Sequence, residues 1–195
     1  MDEPLYEWRG DALPSALAVA AAQDASIAVW QAISGSAWRV YAPKLPAMVP
    51  GWERLQRLRS IDGASAGATA PLHYVVETDV AASNEEEFNA WYETEHLPGL
   101  AGVPGAVRAQ RWRRLDGAPR YVACYDLLSA QTLELPEWLA VRHTPWSARV
   151  RKMFLNTERT MYRRAEIGLP PESLARLPPM GDASSGLAEP APRGL

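Results

Sequence analysis

The sequence is poor in the residues that usually announce a chemistry. Cys124 is its only cysteine, so no internal disulfide can form. Its three histidines, His73, His96 and His143, include no pair at the spacing of helical metal ligands, so no metal site is expected. A haem would need an axial ligand such as His96 or His143, but no attachment motif is present, and no cofactor is expected. Lys44 and Lys152 are the only lysines, and arginine supplies the remaining positive charge. The net charge is −3, and acidic residues elsewhere offset the cluster Arg108, Arg111, Arg113 and Arg114. A nucleic-acid face needs a basic excess to compete with salt, so no nucleic-acid partner is expected. No apolar run approaches the roughly 18 residues that span a bilayer, so no membrane partner is expected either. Met1-Asp2-Glu3-Pro4 lacks the basic and apolar regions of a secretory signal, and a cytoplasmic location is expected. Gly63 and Gly67 sit in an Ala/Ser stretch without lysine, which is not a phosphate loop, and no Ser-His-Asp set can be picked out.

What remains is a chain of 195 residues, 47% hydrophobic, enough for one ordinary domain or two small ones. Four segments separate by composition: an apolar segment over 1–62, a linker over 63–71, a well-patterned segment over 72–168, and a proline-rich tail over 169–195 with a short helix at Glu172 to Arg176. The third segment reads as βαββαβ. Strands are expected at Leu72 to Asp79, Ala106 to Leu115, Arg120 to Leu127 and Thr157 to Ala165. Asp116-Gly117 is a hairpin turn. One helix runs from a Ser83 or Asn84 cap to about His96, before Pro98, with Glu85, Glu86 and Glu87 in its first turn. Two further helical pieces, Pro136 to His143 and Trp146 to Phe154, flank Thr144-Pro145. The order is that of a ferredoxin-like α+β unit. The first segment reads as a degenerate copy: a strand at Leu5 to Arg9, a helix at Leu13 to Gln23, a hairpin around Gly35, and a second helix at Trp52 to Arg59, with no closing strand visible. One such unit leaves a sheet face bare, and two units packed sheet to sheet would cover it.

The most informative run is Glu87 to Pro98. Phe88, Trp91, Tyr92 and Glu95 recur at i, i+3, i+4 and i+7 and share one helix face, with His96 at its edge. Rings with polar tips and two titratable groups suit the wall of a small-molecule pocket. His96 is the candidate catalytic acid/base, because imidazole exchanges a proton near neutral pH; the competing reading is a histidine favoured at a helix C-terminus by the dipole. Tyr92 is the second catalytic candidate, as a hydroxyl donor. Trp91 could stack on a flat substrate or simply pack in the core. Glu95 could touch ligand or pair with an arginine of the Arg108–Arg114 strand. Trp112 and Tyr125 on the strands, and His143 and Trp146 beside the helix break, complete the candidate substrate-binding set. Thr144 and Pro145 are accounted for as a helix cap and first-turn proline. His73 reads as peripheral.

Residues 74–164 resemble the dimeric α/β-barrel superfamily, and within it the EthD-like proteins. The resemblance rests on Thr78-Asp79, on Phe88-x-x-Trp91-Tyr92-x-x-Glu95-His96-Leu97-Pro98, on Val103-Pro104-Gly105, on Asp116 to Tyr121, and on Thr144-Pro145-Trp146. It implies ferredoxin-like units packed sheet to sheet, as a homodimer or as an intramolecular pseudo-dimer. It also implies a small-molecule ligand of flat, oxygenated, aromatic or polyketide-like character, and catabolic lyase, isomerase or oxygenase chemistry without a cofactor. The alternative is a non-catalytic binding or assembly protein that keeps the fold.

Overall fold

The computed structural model describes residues 4–46 and 49–167. The expected tail over 169–195 lies outside the described residues. The strands are β1 (Leu5–Gly10), β2 (Ala28–Ala32), β3 (Trp38–Ala42), β4 (Trp52–Asp62), β5 (Leu72–Val80), β6 (Ala106–Arg114), β7 (Tyr121–Leu127) and β8 (Phe154–Arg164). The helices are α1 (Ser15–Gln23), α2 (Glu85–Trp91), α3 (Leu97–Ala101), α4 (Pro136–Arg142) and α5 (Pro145–Val150). No described helix is long and apolar enough to cross a membrane.

All eight strands close into one antiparallel barrel in the order β1-β3-β2-β8-β5-β7-β6-β4, with β4 returning to β1. The first half contributes β4-β1-β3-β2 and the second β8-β5-β7-β6, each in the fourth-first-third-second order of a ferredoxin-like sheet. They join where β4 pairs with β6 and β2 with β8. Closure leaves no strand edge open and turns one face of every strand inward.

Three differences from the sequence reading have physical causes. Trp52 to Arg59 is strand, not helix. Its Trp52, Leu55 and Leu58 mimic a helical stripe, but the register with β6 slips between Arg57 and Arg59. Residues three apart face opposite sides of a strand, which leaves Leu55 buried inside the barrel and Leu58 exposed, and the bulge then turns Ile61 to the outer face against the second-half core. This strand is also the closing one that the pattern hid. Second, the helix does not stop before Pro98. A π-helical turn, Tyr92–His96, joins α2 to α3, and the amide of Leu97 bonds back to the carbonyl of Tyr92. Third, neither Ser83 nor Asn84 caps with its side chain; a 3₁₀ turn over Ala82–Asn84 leads into α2 instead. The linker over 63–71 is tied to the body: the amides of Gly63, Ala64 and Ser65 bond to carbonyls of Val107, Ala101 and Ala106, each at 2.8 Å.

The strands separate two interiors. On β5, Val76 packs under the second-half helices while Val75 faces into the barrel. The barrel core holds Trp30, Tyr41, Leu55, Trp112 and Val122. It also holds charge. Buried Arg39 pairs with Glu7 at 2.6 Å and with Glu77, and buried Arg114 pairs with Glu77 at 2.7 Å and with Glu7. Arg9 bridges Glu53 at 2.8 Å and Glu77 at 3.1 Å. Arg39 and Arg114 hold the Glu77 carboxyl below the usual carboxylate range against the opposing effect of burial. His73 is buried rather than peripheral. Its Nδ1 lies 2.7 Å from Asp126 Oδ1, its Nε2 3.2 Å from the Tyr41 hydroxyl, and its ring stacks on Trp30.

Candidate functional site

The π turn positions the candidate site. In an α-helix, residues five apart point well away from each other. A π turn closes i→i+5 bonds and brings such residues back onto one face. Trp91 and His96 are five apart, and their rings stack at 4.0 Å between centroids with planes 21° apart. Tyr92 meets His96 edge-on at 5.4 Å. Pro98 is compatible with this path: the wider turn does not ask its missing N–H for a bond to the preceding turn.

Trp91 is fixed from behind. Its indole N–H is shared between Glu95 Oε1 and Ser147 Oγ, both at 3.2 Å. The Thr144 hydroxyl donates to the same Glu95 oxygen at 2.6 Å and accepts from the Ser147 amide at 3.0 Å. Glu95 therefore ties α2 to the start of α5 and makes no contact with the cavity that Trp91 walls.

That cavity, about 30 Å³, lies between the outer face of β5, β7 and β8 and the helices. Its aromatic walls are Trp91, Tyr92, Tyr74, Tyr125, Trp138 and Phe154. The volume is about that of one water molecule or one small polar group. Two polar atoms at this cavity have no hydrogen-bond partner: His96 Nδ1 and the Tyr125 hydroxyl. His96 is 8% exposed and Tyr125 1%. An unmatched buried polar atom costs on the order of 1–3 kcal/mol, so such atoms mark a place where a polar group is expected to dock.

The electrostatics are one-sided. Burial pushes the His96 imidazole down to about 3, and the guanidinium groups of Arg142 and Arg151 add to the effect. His96 is thus neutral at cell pH. Burial pushes the Tyr92 phenol up to about 12, against the pull of Arg111 and Arg159, and raises Tyr125 well above its ordinary value. Arg111 sits behind Tyr92, 4.3 Å from its ring centroid, and donates to Asn89 at 2.6 Å. Arg142, Arg151 and Arg159 complete the cavity lining, and among the described residues none of them forms an ion pair.

Of the residues singled out from sequence, the structure brings His96, Tyr92, Trp91 and Tyr125 together around one space. It does not bring in the other four. Trp112 points into the barrel on the opposite side of the sheet. Trp146 turns away to donate its indole N–H to Glu87 at 3.2 Å. His143 is exposed at the end of α4, and Glu95 serves the α2–α5 tie. Sequence reasoning passed over Tyr74, Trp138 and the three arginines. Trp138 and Arg142 share a face of α4 by their four-residue spacing. Arg151 and Arg159 reach the cavity only through the fold. The cavity is far smaller than a porphyrin. No group of metal-ligating side chains is found among the described residues.

No protein-family model matches the chain, and no curated protein matches it. Solved structures do. An uncharacterised ferredoxin-fold protein of Listeria monocytogenes, related to antibiotic biosynthesis monooxygenases, superposes with a TM-score of 0.59 at 12% identity, over 85% of this chain and 96% of that one. The heme-degrading enzyme LmHde of the same organism superposes with a TM-score of 0.59 at 9% identity, over 83% and 99%. An anthrone oxidase-like protein gives 0.56 at 12% identity, over 85% and 92%. The chain has the ferredoxin-like fold of these monooxygenase-related proteins.

Proposed function

We propose that this chain binds a flat, oxygenated small molecule whose polar group enters the His96 cavity while its ring stays at the open side, and acts on it by proton transfer, as a lyase, isomerase or oxygenase that needs no cofactor. The observation that carries this reading is the pair of unmatched buried atoms, His96 Nδ1 and the Tyr125 hydroxyl, at one aromatic-walled cavity. Neutral His96 presents Nδ1 as an acceptor to a phenol or enol hydroxyl, and because burial and the neighbouring Arg142 and Arg151 push its pKa down to about 3, proton transfer to it requires a ligand that raises its basicity. Tyr92, protonated at any cell pH, is the hydroxyl donor, and Trp91 the stacking wall. The names of the fold relatives, an anthrone oxidase-like protein and a heme-degrading enzyme, agree with flat conjugated ligands, although likeness of fold alone assigns no activity. An EthD-like place in the superfamily, a catabolic role and a cytoplasmic location belong to the same reading. So does the view of the first half as a worn counterpart of the second, supported by their common strand order.

A thermal-shift screen with phenols, quinones and β-keto acids on wild type and His96→Ala tests this. Stabilisation of wild type that disappears in the variant is expected, since a bound ligand raises the melting point by mass action. Equal stabilisation of both proteins would remove His96 from the site. The small volume favours a second reading, a binding or assembly protein without turnover. Ligand binding with no product in single-turnover assays would select it.

A further inference from the structure

Three arginines ring one side of the cavity without a counter-charge among the described residues. Arg142 ends α4, Arg151 follows α5, and Arg159 lies on β8, so three separate elements deliver them to one place. Arg142 and Arg151 are half-buried. Among the described residues, the only protein hydrogen bond of the three is from Arg151 Nε to the Ser147 carbonyl at 3.3 Å. The other exposed arginines nearby behave differently: Arg149 pairs with Glu87 and Arg120 with Glu85. Gathering like charges in this way costs stability, and burial with the neighbouring Arg142 and Arg159 holds the Arg151 guanidinium below its ordinary value. Guanidinium groups are forks of N–H donors matched to carboxylate. The cluster therefore supplies donors on one side of a cavity that presents the unmatched His96 Nδ1 and Tyr125 hydroxyl on another.

We propose that the ligand is an anion: a flat, unsaturated ring lying at the open side of the cavity, whose carboxylate is held by Arg142, Arg151 and Arg159 and whose hydroxyl or carbonyl oxygen alone enters the 30 Å³ space to meet His96 Nδ1 and the Tyr125 hydroxyl. This rests on the reading of the His96 cavity as the binding site and adds the charge of what enters it. Arrival of the anion also offsets the two arginine charges that disfavour protonated His96, so the ligand itself makes the base more basic.

The test is a titration calorimetry comparison of 4-hydroxybenzoate with its methyl ester, which keeps the ring and hydroxyl but not the charge. The acid is expected to bind wild type at least about tenfold tighter than the ester, as befits hydrogen bonds to charged groups. In an Arg142→Gln/Arg151→Gln double variant that preference is expected to shrink to less than about threefold, while the melting point of the unliganded protein stays the same or rises because repulsion has been removed. If the double variant does not fold, raising salt on wild type from about 0.05 to about 0.5 M should weaken the acid and not the ester. Equal binding of acid and ester, lost in His96→Ala, would overturn the anion inference and leave the cavity reading standing. A preference for the acid that survives the double substitution would overturn it too. No binding of either compound to any protein would overturn both.

Discussion

At the scale of single residues, the site is a set of groups held in states that the folded protein makes costly. His96 is the clearest. An unfolded chain protonates this imidazole near pH 6.5, but the folded protein resists until about pH 3. The unfolded state therefore binds more protons across that window, and stability falls as pH is lowered from 6.5 toward 3. The loss amounts to about 1.4 kcal/mol per pH unit for one full proton. Denaturant melts at pH 7, 6 and 5 should show a decline in wild type that His96→Gln lacks. Glu77 and Asp126 are held below the usual carboxylate range and enter only at lower pH. Tyr125 offers a second test. Its hydroxyl satisfies nothing in the protein, so Tyr125→Phe should leave the unliganded melting point unchanged or raise stability by up to about 1 kcal/mol, while weakening the ligand. A clear destabilisation would show that the hydroxyl has an internal role.

At the scale of elements, the π turn is the device that makes the site. Inserting one alanine after Thr94, an exposed residue within Tyr92–His96, puts His96 six residues after Trp91, a spacing that neither an α-helical nor a π-helical turn brings onto one face, and should move His96 off Trp91. A folded protein that has lost ligand stabilisation is the expected result, read by circular dichroism and thermal shift. How far these elements were legible follows from what each depends on. The βαββαβ order was readable because its strands alternate and its turns carry Asp116-Gly117 and Pro104-Gly105. The stacked face of Phe88, Trp91 and Tyr92 was readable because spacing alone decides it. The π turn was not, because the sequence signal at Pro98 is the same for a helix that stops and for one that widens. Strand β4 was hidden because Trp52, Leu55 and Leu58 recur at the three-residue spacing of a helix face, although in the strand Trp52 and Leu55 face opposite sides. The arginines were invisible as a group because nothing local relates Arg142, Arg151 and Arg159.

At the scale of the whole molecule, one chain supplies every strand of the barrel, and charged side chains fill part of its interior. Glu77 bridges Arg39 and Arg114 where no water competes. Glu77→Ala should cost about 3–5 kcal/mol, because it removes one of the two carboxylates that buried Arg39 and Arg114 share and leaves Glu7 alone between them, and urea denaturation measures it directly. Closure within the chain also predicts a monomer of 21.5 kDa by light scattering. The barrel braces one face of β5, β7 and β8, and the helices fix the cavity on the other, so a ligand at His96 is felt locally. That makes the three histidines useful reporters, since His73 lies in the barrel, His143 on the surface and His96 at the cavity. The most direct measurement is the imidazole NMR spectrum during titration with 4-hydroxybenzoate. A saturable shift of the His96 resonances is expected, with those of His73 and His143 unmoved. Saturable binding that leaves His96 unchanged would contradict a site at His96.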